Sequence, residues 1–101
     1  MSKTIKVRTS LRENVAEIRM LLRHPMEVGR RSENGDPIAP HFITELVCEH
    51  NGEIVLNAHW GAGIAKNPYV AFFVDDVQAG DRLSIRWRDN QGGKDIFETN
   101  I

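Results

Sequence analysis

One cysteine, Cys48, stands in 101 residues, and that alone excludes an intrachain disulfide. No apolar stretch approaches the length that spans a bilayer, so a membrane is not among the expected partners. An excess of one charge is also lacking. Thirteen Lys and Arg stand against fourteen Asp and Glu, a net charge of −1, which argues against a nucleic-acid binder. There is no internal repeat and no low-complexity tract. The opening MSKTIKVRTS is positively charged but has no apolar segment behind the charge. It therefore does not read as a signal peptide, and taken alone it suggests the cytoplasm. What is present is the length of one domain, residues 1–101, with the 41% hydrophobic and 27% charged content of a soluble globular protein.

The balanced total hides an uneven distribution. Residues 1–31 hold eight Lys and Arg and three Glu, while the remainder holds five basic and eleven acidic groups. Such an asymmetry can steer a protein partner, or it can be two solvated strand faces that differ in sign.

The apolar pattern is that of short strands parted by turns. Residues 4–9 alternate Ile5 and Val7 with Thr4, Lys6 and Arg8, as a half-buried strand does. Residues 14–23 put Ala16, Ile18, Met20 and Leu22 on one face at period two, with Leu21 as the exception. The same segment has good helix formers, so a helix competes there, and His24-Pro25 ends either element. Residues 29–40 form a loop with a hairpin tip at Asn34-Gly35. Residues 42–50 place Thr44, Leu46 and Cys48 on one face, and Asn51-Gly52 turns the chain into a return strand at 53–60. Gly61 and Gly63 break it, and Asn67-Pro68 opens the turn before Tyr69–Val74. Leu83, Ile85 and Trp87 alternate with Ser84, Arg86 and Arg88, and Asp95–Thr99 closes the chain. About seven strands at this spacing predict an all-β, immunoglobulin-like sandwich with Cys48 and Trp87 between its sheets.

Catalytic motifs fail one after another. The four histidines, His24, His41, His50 and His59, fit no HExxH or zinc-finger spacing. Cys48-x-His50 hints at a blue-copper pair, but no His or Met follows His59 to complete it. Cys48 falls on an inward strand face without a cationic neighbour, so it reads as a small core residue and not as a nucleophile. No serine sits in a GxSxG elbow and no glycine-rich loop leads into a helix. No catalytic, cofactor or metal residue is therefore expected. Two segments stand out as recognition elements: His24 to Arg31, with a rigid proline, a pliable methionine and paired arginines, and Lys66 to Tyr69. A plain solvated loop and a turn with a packed tyrosine are the ordinary readings of the same residues.

Those segments carry a resemblance. In order, the chain shows His24-Pro25-Met26-Glu27, Gly29-Arg30-Arg31, a loop with Pro37 and Pro40, and Cys48-Glu49-His50-Asn51-Gly52. Asn67-Pro68-Tyr69 follows, and then Trp87-x-Asp89 before a glycine-containing turn. In this order the chain resembles the SoxZ family over almost its full length. The resemblance implies an immunoglobulin-like sandwich that acts as the non-catalytic subunit of the SoxYZ sulfur carrier of thiosulfate oxidation. It implies pairing with SoxY, whose C-terminal cysteine holds the sulfur intermediates, and through SoxY contact with cytochrome and hydrolase components. It also implies a periplasmic site of action, reached by co-export with a signal-bearing SoxY. His24, Met26, Arg30, Arg31, Asn67, Pro68 and Tyr69 are then the expected partner-binding residues, and self-association is expected of the chain in isolation. The rival expectation is a small metal-binding or electron-transfer sandwich using His24, His41, His50 or Cys48.

Overall fold

The structure, a computed structural model, describes residues 2–29, 32–33 and 35–101. Period-two alternation gives strands almost everywhere it occurs. They are β1 (Ile5–Arg12), β2 (Val15–Leu22), the short β3 (Ser32–Glu33) and β4 (Asp36–Pro37), β5 (Ile43–His50), β6 (Glu53–His59), β7 (Tyr69–Val74), β8 (Arg82–Asp89) and β9 (Lys94–Asn100). The segment at 14–23 is β2 and not a helix: Ala16, Ile18, Met20 and Leu22 are all buried. A helix would have spread these side chains around its circumference, whereas a strand buries them together. Ile18, Met20 and Leu22 each contribute about 1.5–3 kcal/mol of transfer free energy, which outweighs a helix propensity of a few tenths per residue.

Seven longer strands form two antiparallel sheets, ordered β1-β2-β7 and β6-β5-β8-β9. This is an immunoglobulin-like sandwich. The core lies between the sheets, with Ile18, Met20 and Leu22 from one and Leu46, Leu83 and Ile85 from the other. Cys48 and Trp87 join it, as their positions in the pattern suggested. The loop at 29–40 holds the small β3–β4 hairpin, which pairs Ser32 with Pro37 and Glu33 with Asp36. The hairpin at Asn51-Gly52 has positive φ at both residues, 49° and 86°, the backbone that matches strand twist and favours Asn-Gly.

One face assignment needs correction. Thr44 does not continue the inward row of Leu46 and Cys48. The pairing with β8 slips between Ile43 and Glu45, so Ile43 lies opposite Asp89 and is fully buried. An extra residue in a strand reverses the alternation beyond it. The bulge also sets the start of β5 against the end of β8, where the polar cluster described next is built.

Candidate functional site

β8 turns Leu83, Ile85, Trp87 and Asp89 inward. The fourth is a carboxylate, only 8% exposed. Such a group needs hydrogen-bond donors, because burying an unpaired charge costs far more than burying a paired one. The chain supplies four. Oδ1 accepts the main-chain N–H of Gln91 at 2.9 Å and of Gly93 at 2.6 Å. Oδ2 accepts Nε2–H of His24 at 2.9 Å and Nε2–H of His41 at 2.7 Å. Burial raises the Asp89 pKa, but the bonds from His24, His41, Gly93 and Gln91 outweigh it and hold the carboxyl down to about 2. The turn must wrap closely to place its amides. A Cβ at Gly93 would stand 2.5 Å from Asp89 Oδ2, so only glycine permits the approach.

His24 leaves the end of β2 and is 3% exposed. Its Nδ1 accepts the N–H of Met26 at 3.1 Å. A ring nitrogen that accepts has no proton, so the single hydrogen of the neutral ring is on Nε2, where it meets Asp89. Met26 reaches this position with φ of 47°, a left-handed backbone that costs a methionine about 1 kcal/mol. Its buried Sδ in turn accepts the Ile43 N–H at 3.4 Å. Asn67, also left-handed at φ 52°, closes the same end of the sandwich: its Oδ1 accepts His24 N–H at 3.0 Å. The Asn67 N–H donates to His24 O at 3.0 Å, and Leu22 N–H donates to Pro68 O at 2.9 Å. His41 is held by reciprocal main-chain bonds with Glu27 and packs edge-on against His24, ring centres 4.6 Å apart. Trp87 also packs edge-on to His24 at 5.2 Å and donates Nε1–H to Thr4 Oγ1.

The structure thus brings His24, Met26, Asn67, Pro68 and Tyr69 to one end of the sandwich. Their roles differ. His24, Met26 and Pro68 are buried and shape the loops. Tyr69 is 62% exposed. Arg30 and Arg31 lie outside the described residues. Asp89 stood in the sequence as part of Trp87-x-Asp89, without a role. Carrying the alternation of β8 one step past Arg88 places it inward, and an inward carboxylate calls for nearby donors.

His24, His41 and Asp89 each offer an atom within 4.8 Å of the others, the donor set of a two-histidine, one-carboxylate metal centre. The tautomer argues against that use. A histidine bound to metal through Nε2 carries its hydrogen on Nδ1 and donates it outward. Here Nδ1 faces the Met26 N–H, and two donors would meet. The other histidines do not join the set. His50 bonds Asp81 at 2.8 Å from the far end of β5, and His59 lies 4.0 Å from Glu45. Cys48 is fully buried, and burial pushes its thiol up to about 12 although Arg86 draws it down. A thiol at that value is almost wholly protonated at neutral pH and is a poor nucleophile.

Fold and cluster define the class: an immunoglobulin-like sandwich whose one end is fixed by two histidines on a buried aspartate. Within that class, the family model for sulphur oxidation protein SoxZ matches residues 5–100, and the chain belongs to the SoxZ family. It is a subunit of the sulfur-oxidising Sox system. No curated protein sequence matched the chain.

Proposed function

We propose that this chain is the non-catalytic half of a SoxYZ-type sulfur carrier. It pairs with a SoxY-like chain whose C-terminal cysteine bears the sulfur during thiosulfate oxidation, and the pair is offered to cytochrome and hydrolase components. The observation that carries the division of labour is Cys48, the chain's one thiol, buried and raised to about 12. Its burial supports a division of labour in which covalent sulfur resides on another chain. Arg30 and Arg31, which follow Met26 closely in the sequence, supply charge for an acidic partner surface or an anionic sulfur group. The complex works in the periplasm, carried there by the partner's export signal.

Co-expression with a SoxY-like chain tests this directly. The two chains co-purify in equal amounts, and thiosulfate-dependent loading of the partner thiol is the same with Cys48→Ala as with the native residue. Failure to co-purify, or loss of loading in a folded Cys48→Ala complex, overturns the proposal. Stoichiometric zinc or copper in untagged protein would instead favour the metal centre at His24, His41 and Asp89. Cell fractionation with and without the partner's signal decides the compartment.

A further inference from the structure

The four edge strands of the sandwich are unequally protected. β1 carries Lys6, Arg8 and Arg12, and β9 carries Lys94, Asp95 and Glu98. β6 carries Glu53, and its pairing with β5 is broken by a register shift opposite Cys48 and Glu49. Charges and bulges are the usual means by which a sheet edge is kept from pairing with another chain. β7 has neither. It reads Tyr-Val-Ala-Phe-Phe-Val, without a charge, proline or glycine, and among the described residues it pairs only with β2.

The ladder shows which groups are left over. Leu22 N–H points toward the β7 side, where it bonds Pro68 O, whereas Arg23 N–H points the other way, to Thr4 O. Alternation then gives β7 the main-chain groups of Met20, Ile18 and Ala16, opposite Val70, Phe72 and Val74. The N–H and C=O of Tyr69, Ala71 and Phe73 therefore face the open edge. Among the described residues no main-chain group pairs with them. Their side chains are on the outer face of the sheet, with Tyr69 62% and Phe73 71% exposed.

We propose that β7 is a homodimer seam, on which a second copy of this chain adds its own β7 antiparallel across a two-fold axis. The free groups fix the register. Ala71 meets Ala71 at the axis, and Tyr69 of each copy lies opposite Phe73 of the other. Two cross-strand aromatic pairs then flank a small central residue, and each three-stranded sheet becomes half of a six-stranded one. Charge does not oppose it. Arg19, the nearest cation in the central row, is opposite Ala71 on β2. The two Arg19 side chains would be three strand spacings apart, about 14 Å, beyond a screening length of about 8 Å at physiological salt. This pairing concerns the chain alone and does not rest on its role in a carrier complex.

The test uses the full untagged chain. Light scattering over a concentration series is expected to give a reversible dimer with a dissociation constant on the order of 10 µM, as suits a small interface. Hydrogen exchange is expected to slow at the amides of Tyr69, Ala71 and Phe73 as concentration rises. Phe73→Lys places a charge on the seam, and Ala71→Pro removes an edge-facing N–H that no internal bond uses. Each variant should weaken the dimer at least about ten-fold while its far-ultraviolet circular dichroism remains that of the native chain. A native chain that stays monomeric at about 100 µM overturns the proposal, and so does a dimer that survives both folded variants. Protection of the three amides only when a SoxY-like chain is added would also overturn it, and would assign the edge to the heterodimer.

Discussion

Asp89 accepts two imidazole and two main-chain hydrogen bonds, so every change at this residue leaves a buried donor without an acceptor. Asp89→Asn keeps the shape but offers one acceptor oxygen. Its amide must then face either the histidines or the turn amides, donor against donor. Urea unfolding at neutral pH should show a loss of about 3 kcal/mol. The acid limb should change as well. The folded pKa lies below the ordinary 3.8, at about 2, so the carboxylate's stabilising contribution is fully present above 3.8 and is lost as pH falls toward 2. The shift corresponds to about 2 kcal/mol, and Asp89→Asn should remove that portion of the pH dependence in a titration of unfolding free energy. Gly93→Ala acts on the same carboxylate from the turn side, since its methyl must displace Oδ2. It should cost about 1–3 kcal/mol alone, and clearly less in the Asp89→Asn background, because the two changes share one contact.

Between elements, the fixed end depends on two left-handed residues, Met26 and Asn67. At Asn67 the backbone and side-chain contributions can be separated. Asn67→Gly loses the bond to His24 N–H but keeps the left-handed backbone, whereas Asn67→Ala loses both. Thermal unfolding should rank native above glycine above alanine, with about 1 kcal/mol between the two variants. The reverse order would mean that φ at residue 67 costs nothing. Elements of this size are largely legible in the sequence. β2 and β8 follow from strict alternation, and Asn51-Gly52 marks its hairpin, because burial on one face of a strand selects residues two apart. What was not legible is where the alternation breaks. Thr44 has the parity of Leu46 and Cys48, and only the pairing with β8 shows the extra residue that turns Ile43 inward instead. The cluster was half legible for the same reason. His24 and Asn67 are prominent as residue types, but they lie 43 positions apart, and the pairing that joins them exists only once β2 and β7 are neighbours.

Across the whole molecule, the uneven charge of the sequence becomes two unlike faces. On the outer face of the four-stranded sheet, Arg82 pairs with Glu98, Arg86 with Glu49 and Arg88 with Glu45, so these three arginines are locally neutralised. On the outer face of the three-stranded sheet, Lys6, Arg8, Arg12 and Arg19 are exposed. Of these, Arg19 alone forms an ion pair among the described residues, with Glu17 at 3.8 Å. Exposed pairs of this kind add little stability, so the value of such a surface is in encounter and not in folding. If the SoxY-like partner approaches this side, reversing Arg8 and Arg12 to Glu should slow association several-fold at low salt and flatten its dependence on ionic strength. Dissociation should change much less, because charges at the rim of a contact act mainly before docking. Reversing Arg86 and Arg88 serves as the control. Both are paired with carboxylates on the opposite sheet's outer face, so their reversal should leave the association rate within about two-fold of native. Stopped-flow association of the native chain and both variants with the separately purified partner, at two salt concentrations, measures these rates. Equal slowing by both pairs would mean that net charge matters and its placement does not, whereas slowing by the Arg8 and Arg12 pair alone assigns the approach to the basic face.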